Sequence, residues 1–210
     1  MYLSRVELQS DRRETMLALS QPQLMHGAVE QCFPGDRERR LWRVDWMESH
    51  CYLLVLSREP PEFTALWTQF GPLGEKARWE TKDYTPLLSK LQNGQAWHFR
   101  LKANPVHSVS SEQTDEKRGK VTAHVTTAQQ KQWLLSRSEA LGIALRENEF
   151  DVTHTQWYSF DKGNKQRVTL RTASFEGVLT LADTQKFTEA MLSGVGRAKA
   201  YGCGLLTIIR

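Results

Sequence analysis

The stretch at residues 194–206 constrains the fold most, because it places four glycines within eleven residues. Glycine allows positive φ angles and close approach of the backbone to another group. Arg197 and Lys199 add two positive charges to the same stretch, a combination suited to phosphate. A helix is predicted before it, over 183–192, and an apolar strand after it, over 205–209. The stretch is therefore predicted to be a loop that joins a helix to a strand.

The common nucleotide-binding motifs do not fit this loop. A Walker loop needs a glycine, four residues and then Gly-Lys-Ser/Thr after a strand, and the chain has no such order. In the dinucleotide fingerprint, Lys199 would stand where the third glycine belongs, and a helix precedes the loop. Two interpretations stay open: a loop that binds the phosphate of a larger ligand, and a structural turn that lets the last strand pack tightly.

The composition is that of an ordinary globular protein. The 210 residues are 40% hydrophobic and 25% charged, and no apolar run approaches the roughly 18–20 residues that span a bilayer. The first eight residues predict a strand and not a signal peptide, so we expect a cytoplasmic protein without membrane contact. Cys32, Cys51 and Cys203 share no metal-like spacing, which predicts free thiols.

Positive charge is concentrated in the second half of the chain. Residues 1–94 hold 12 Lys and Arg against 13 Asp and Glu, whereas residues 95–210 hold 16 against 11. An excess of this sign favours a polyanionic partner for the second half, although a difference this small also arises by chance.

The order of predicted elements indicates the fold class. In the first half, strand and helix patterns follow the β-α-β-β-α-β order of a ferredoxin-like domain. Strands are predicted over 2–8, 40–46 and 51–57, a loop or weak strand over 71–83, and helices over 15–19, 22–32 and within 59–70. The second half repeats the order with a strand over 97–103, a loop or hairpin over 108–120, a helix over 127–141, strands over 153–160 and 167–181, a helix over 183–192 and the last strand. We therefore predict an α+β protein of two tandem ferredoxin-like domains, residues 1–87 and 95–210.

Several short motifs together resemble one known family. They are the opening Met-Tyr-Leu-Ser, His26 followed by Phe-Pro at 33–34, Phe-Arg-Leu-Lys-Ala-Asn-Pro at 99–105, Phe-Glu-Gly-Val-Leu-Thr at 175–180, and the glycine loop. In this order along the chain they resemble the CasE family of the type I-E CRISPR Cascade complex. The resemblance implies two ferredoxin-like domains that bind the stem-loop of a CRISPR repeat and cut it once at its 3′ base without metal or cofactor. It also implies a protein that is monomeric when free and stays bound to the product beside other Cascade subunits.

The chemistry of such a cut points to a histidine. Cleavage without metal uses the ribose 2′-OH as nucleophile, which requires a base, an acid for the leaving 5′ oxygen, and positive charge near the phosphate. Histidine suits either proton transfer because its ordinary pKa is roughly 6.5. By sequence alone His26 is more simply a polar residue on a helix surface; the resemblance implies that it is the catalytic histidine. Some relatives carry a tyrosine three residues earlier, where this chain has Gln23, so the second catalytic group is open between Gln23, Tyr2 and Tyr201.

The resemblance also implies where RNA binds. The hairpin around Lys162, Lys165 and Arg167 corresponds to one that enters a groove of the RNA stem, where contacts should fall mainly on phosphates. Simple solvation is the alternative for such a basic tip. The full set of predicted RNA-binding residues is Arg100, Lys102, Asn104, Lys117, Arg118, Lys120, Tyr158, Lys162, Lys165, Arg167, Gly194, Gly196, Arg197 and Lys199, and His107 and His124 are the other histidines expected nearest to RNA.

Two other functions compete with a metal-independent nuclease. A catalytically silent RNA-binding scaffold would share the fold, the basic half and the glycine loop. A metal-dependent nuclease has little support, because the sequence shows no carboxylate cluster and no His-x-His spacing. Cleavage of a repeat hairpin in EDTA separates the three.

Overall fold

A computed structural model describes residues 1–35, 38–109, 120–162 and 166–210 of the chain. Its first half contains, in order, β1 (Tyr2–Leu8), α1 (Arg13–Ser20), α2 (Pro22–Gln31), β2 (Leu41–Met47), β3 (His50–Ser57), α3 (Thr64–Phe70), β4 (Trp79–Asp83) and α4 (Thr85–Leu88). The second half contains β5 (Ala96–Ala103), β6 (Val106–Val109), β7 (Lys120–Ala123), α5 (Thr127–Leu135), β8 (Ile143–Ala144), β9 (Phe150–Lys162), β10 (Gln166–Leu181), α6 (Thr184–Ser193), a 3-10 turn (Lys199–Tyr201) and β11 (Leu206–Ile209).

The first sheet has the strand order β2-β3-β1-β4, with antiparallel neighbours throughout. Alternate residues of its central strands, such as Val6 and Leu8 of β1 and Leu53 and Val55 of β3, are buried in one core with side chains of α1 to α3. The intervening residues of β3, among them Leu54, belong to the core of the second half instead. Because both faces of β3 are covered, its sequence is almost continuously apolar.

The second sheet has the order β11-β5-β10-β8, and the long strand β9 pairs with β10 as a hairpin. Its core combines Phe99 and Phe175 of the central strands with Trp133 of α5 and Phe187 of α6. With β9 in the place of the second strand, both sheets have the same order of four principal strands. Helices α1 to α3 pack on the first sheet, and α5 and α6 pack on the second. The α+β fold of two tandem ferredoxin-like domains is thus confirmed. The boundaries at 87 and 95 stay a prediction; β4 ends at Asp83 and β5 begins at Ala96.

Some element bounds differ from those expected. The helix predicted over 127–141 ends at Leu135, because turns follow in which Ser136 and Ser138 donate side-chain hydrogen bonds to backbone carbonyls of the last helical turn. Leu141, at the end of the predicted range, is buried but lies beyond the end of the helix. The strands β9 and β10 extend into the predicted basic turn at 161–166. The short elements α4 and β8 were not predicted, because four and two residues give no readable periodicity.

A buried arginine joins the two halves. Arg43 of β2 is 2% exposed and donates two hydrogen bonds to Asp45, at 2.6 and 2.7 Å. It also donates to the carbonyl oxygens of Arg100 and Leu205 and to the hydroxyl of Thr207, at 2.8, 2.7 and 2.8 Å. All three of these acceptors belong to the second domain. A guanidinium therefore stands where the two sheets meet, with donors directed to both.

The glycine loop also packs closely against the first domain at this junction. Gly194 and Gly202 have φ angles of 79° and 75°. A Cβ atom at Gly194 would lie 2.6 Å from the side chain of Leu41, and one at Gly202 would lie 2.6 Å from the ring of Trp42. Both partners are in β2 of the first domain. The structural interpretation of the loop is therefore supported at these two positions, which need both the positive φ and the missing side chain.

The remaining global expectations concern cysteines and membranes. Cys32, Cys51 and Cys203 are free and buried, and burial raises the pKa of the Cys203 thiol to about 11. In the described ranges, each helix is too short or too polar to cross a membrane.

Candidate functional site

The candidate catalytic residue, His26, lies at the border of the buried face of α2. This helix starts with Pro22, whose ring is well suited to the first helical position. Met25 and Val29 belong to the buried face of the helix. His26 lies at the edge of that face and is partly exposed. Gln23 precedes it by three residues and therefore lies on the same side of the helix.

The glycine loop brings the second domain to this helix. The 3-10 turn at Lys199–Tyr201 packs against α2, and a surface pocket of about 840 Å³ opens between them. We call it the His26 pocket; the polar and basic side chains that line it include Gln23, His26, Arg39, Arg40, Lys199 and Tyr201. Residues from two domains thus converge on one site.

The His26 pocket has an excess of positive charge, because Arg39, Arg40 and Lys199 line it together with the carboxylates of Glu30 and Glu38. Burial lowers the pKa of Lys199, and the positive charge of Arg39 lowers it further. The Lys199 ammonium donates a hydrogen bond to the carbonyl oxygen of Ser193 at 2.7 Å, which fixes its position. Arg40 is held by Glu30 at 3.2 Å and stacks over the ring of Phe33 at 4.2 Å. An anion bound in this pocket would relieve the repulsion between Lys199 and Arg39.

Tyr201 is the tyrosine that lines the His26 pocket. The other tyrosine considered, Tyr2, lies in β1 between Ser57 and Asp83 of the neighbouring strands. The ring of Tyr201 packs edge-on against Phe160 of β9, with centroids 5.0 Å apart. Tyr201 therefore links the pocket to the β9–β10 hairpin near its turn, and its hydroxyl and Gln23 are the two candidates in the pocket for the second catalytic group.

A small aromatic cluster supports this hairpin near its turn. Tyr158, Phe160 and Leu170 are buried together. Lys102 donates a hydrogen bond to the Tyr158 hydroxyl at 3.0 Å, and that hydroxyl donates to Gln156 at 2.7 Å. Tyr158 is 6% exposed, so its side chain supports the hairpin. Direct contacts of Tyr158 and Lys102 with RNA stay predictions.

The basic hairpin residues are only partly described. Arg167 is exposed and donates to the hydroxyl of Ser159 at 2.8 Å. Lys162 is the last residue of β9 and Lys120 the first of β7. Lys117, Arg118 and Lys165 lie outside the described residues.

The other predicted RNA-binding residues fall in two places. Arg100 lies at the domain junction, 3.5 Å from Asp45 and 3.1 Å from Glu176, so its charge is already paired. Asn104, Gly196 and Arg197 line a second pocket on the other side of the glycine loop, whereas Gly194 packs against β2. RNA binding at these positions stays a prediction.

Sequence reasoning missed Arg39 and Arg40, which line the His26 pocket. The signal available was an Arg-Arg pair immediately before β2, but a basic pair beside a strand is usually a solvated surface. Across the described ranges, no group of three or more His, Cys, Asp or Glu gathers into a possible metal site.

The chain is similar to proteins of one family over its whole length. The family described as "CRISPR associated protein" matches residues 1–210. The Cascade subunit CasE of Escherichia coli (strain K12) is 30% identical over 165 residues, which cover 75% of this chain and 74% of that protein. The CRISPR-associated endoribonuclease Cse3 of Thermus thermophilus is 27% identical over 223 residues, which cover 99% of both chains.

Solved structures show the same similarity. A structure of Cse3 bound to a 19-nucleotide RNA superposes with a TM-score of 0.81 and 25% identity, and each chain is fully covered. Cas6e from Escherichia coli, at 26% identity, superposes with a TM-score of 0.59, with 99% of this chain and 98% of that chain covered.

Proposed function

Because the chain belongs to the CasE family of CRISPR-associated proteins, we propose that it is an endoribonuclease that cuts precursor CRISPR RNA at the 3′ base of the repeat stem-loop. The similar Thermus protein is called an endoribonuclease, and the similar structure holds RNA. The observation that carries the proposal in this chain is the convergence of His26, Lys199 and Tyr201 on one basic pocket.

The cut proceeds by attack of the substrate's own 2′-OH. His26 accepts the proton of this hydroxyl as its oxygen bonds to the adjacent phosphorus. The bond from phosphorus to the 5′ oxygen breaks, and that oxygen receives a proton from Tyr201 or from a group that Gln23 orients. The products are a 2′,3′-cyclic phosphate and a 5′-OH end. Arg39 and Lys199 stabilise the charge that develops on the phosphate, and no step requires a metal ion.

The second domain supplies binding. Its basic hairpin and glycine loop lie on the side of the molecule that carries the His26 pocket, because Tyr201 packs directly on Phe160. A stem-loop held by the hairpin would leave its 3′ base beside α2. Persistent contact with phosphates would keep the protein on the mature guide RNA in Cascade after the cut. A monomer when free and a cytoplasmic location complete the proposal.

Replacement of His26 tests the assignment. His26→Ala should lower single-turnover cleavage of a repeat hairpin by roughly 10²- to 10⁴-fold, with binding nearly unchanged, because a proton-transfer group is removed and phosphate contacts are not. The matched control is His50→Ala, since His50 is 52% exposed and pairs only loosely with Glu7 at 3.9 Å. Cleavage by His26→Ala at the wild-type rate would end the assignment.

The same RNA tests whether the ribose 2′-OH is the nucleophile and whether cleavage requires a metal ion. A single 2′-deoxy residue 5′ of the cut should permit binding and block cleavage, and wild-type activity should persist in EDTA. Cleavage of the deoxy substrate would mean that water attacks. Tight binding by the wild-type protein without any cleavage would instead support the RNA-binding scaffold.

A further inference from the structure

A second pocket opens on the other side of the glycine loop. It occupies about 780 Å³ between the β6–β7 pair, α5 and the loop, which is within the roughly 300–1,000 Å³ of ligand pockets. We call it the Asn104 pocket; the side chains that line it include Asn104, His107, His124, Trp133, Arg137 and Arg197. The proposed cleavage reaction uses none of them.

Two deeply buried side chains of this pocket have polar atoms without a partner. Asn104 is 7% exposed, and its Oδ1 atom accepts no hydrogen bond. Trp133 is 4% exposed, and its Nε1–H donates none. Buried polar groups are normally paired, since an unpaired one loses its hydration without compensation. Both residues line the pocket, so a ligand that enters it and reaches these atoms would supply the missing acceptor and donor.

The rest of the pocket combines basic, aromatic and uncharged polar side chains with one carboxylate, that of Glu147, so its two arginines leave an excess of positive charge. The Arg137 guanidinium lies over the Trp133 ring at 4.3 Å, and burial lowers its pKa. The rings of His107 and His124 have centroids 4.6 Å apart, and Nδ1 of His124 is also buried without a partner. Burial, followed by the effects of His107 and Arg137, lowers the pKa of His124. The ligand should thus carry both a planar group and negative charge.

We propose that the Asn104 pocket binds one unpaired nucleotide of the RNA. The inference rests on the proposed function and specifies how the substrate is recognised. An amide offers a donor and an acceptor side by side, which is the pattern that a base edge matches. Imidazole rings provide a surface for stacking, and Arg137 and Arg197 provide charge for the phosphate. A nucleotide outside the stem can turn its base into a recessed pocket without the cost of breaking a base pair.

The geometry of the glycine loop places this nucleotide near the cut. Arg197 lines the Asn104 pocket and Lys199 lines the His26 pocket. Two residues span at most about 7 Å of backbone, so one RNA strand that crosses the loop reaches both pockets within a few nucleotides. The base in the Asn104 pocket would therefore fix the register of the strand relative to His26.

Abasic scanning of the repeat RNA tests the inference. Each unpaired nucleotide that flanks the stem is replaced in turn by an abasic residue, and binding and single-turnover cleavage are measured. For the wild-type protein, one position should lose at least about fivefold in affinity, the low end for a stacked base. Asn104→Ala and Arg137→Gln should each weaken binding of the intact RNA, and Asn104→Ala should remove the additional effect of that abasic position. Arg78→Gln is the control, since Arg78 is 67% exposed and lies in the first domain.

The outcomes separate this inference from the proposed function. If the wild-type protein binds and cuts repeat RNA but no abasic position changes affinity, the pocket inference fails and the nuclease assignment stands. Additive effects of Asn104→Ala and every abasic position would overturn it as well. If Asn104→Ala does not fold, the same cycle with Arg137→Gln and a methylphosphonate at the neighbouring phosphate decides the question. Absence of any binding or cleavage by the wild type would instead refute the proposed function.

Discussion

Arg43→Ala should destabilise the protein more than any substitution of a surface charge. The guanidinium makes five hydrogen bonds, and three of them cross to the second domain. Truncation removes all five and leaves Asp45, which is 7% exposed, without its bidentate partner. Breaking a buried ion pair by removal of one member costs about 3–5 kcal/mol, because the remaining charge stays buried.

The structure favours the lower end of that range. Arg100 remains 3.5 Å from Asp45 after truncation and compensates part of the missing charge. We therefore expect about 3 kcal/mol, a factor of roughly 150 in the folding equilibrium. Arg43→Lys keeps a charge but not the planar fork, so it should recover only part of this stability. Cleavage should fall too, since the junction positions the loop that carries Lys199 and Tyr201 against α2.

Urea unfolding followed by fluorescence, together with single-turnover cleavage, measures both effects. Arg5→Ala is the matched control: Arg5 pairs with Glu80 at 3.1 Å on the surface of the same sheet, with both side chains at least 40% exposed. Such a pair contributes about 0–1 kcal/mol. A destabilisation below about 1 kcal/mol for Arg43→Ala would mean that Asp45 rehydrates and that the domains do not depend on this arginine for their association.

Three further predictions concern the loop, the proton donor and the hairpin. Gly202→Ala should lower the free energy of unfolding by more than about 1 kcal/mol and slow cleavage, because the new Cβ atom would clash with Trp42. Gly74→Ala is the control, since Gly74 has the same φ of 75° with open space around it and therefore reports the backbone strain alone. Equal destabilisation of the two variants in urea unfolding would refute the packing argument. Tyr201→Phe keeps the packing on Phe160 and should slow single-turnover cleavage by at least about tenfold without a change in stability. An unchanged rate would mean that another group protonates the leaving 5′ oxygen. Replacement of the hairpin cations Lys162, Lys165 and Arg167 by alanine should weaken repeat binding. It should also lower the slope of log K against log salt by somewhat less than one unit for each phosphate that the protein no longer neutralises. An unchanged slope would mean that these side chains are exposed to solvent and do not contact RNA phosphates.

The fold was largely predictable because its main signals are local. Alternation in β1 and the apolar run in β3 gave the strands of the first sheet, and Pro22 marked the start of α2. The end of α5 was not predictable in this way. Its termination depends on serine side chains that compete for backbone carbonyls, and the same serines are tolerated within many helices.

The sites were less predictable because they form between distant segments. Chemistry and the family resemblance pointed to His26, whereas its neighbours in the pocket come from both domains, Arg39 from the first and Lys199 from the second. No spacing in the sequence connects residue 26 to residue 199. The Asn104 pocket was harder still, since the absence of a hydrogen-bond partner for Trp133 is a property of packing and not of any motif.

The glycine loop shows why its two interpretations could not be separated by sequence. Its glycines serve packing: Gly194 and Gly202 let the loop lie directly on Leu41 and Trp42 of the first domain. That packing in turn carries the cationic residues of the loop to the two pockets, which lie on opposite sides of it. A loop with the same charges but ordinary side chains would stand away from β2, and the Lys199 charge would then lie too far from α2 to act on a phosphate beside His26. The packing role is therefore the condition for the proposed phosphate-binding role, and a substitution at Gly202 should reduce both together.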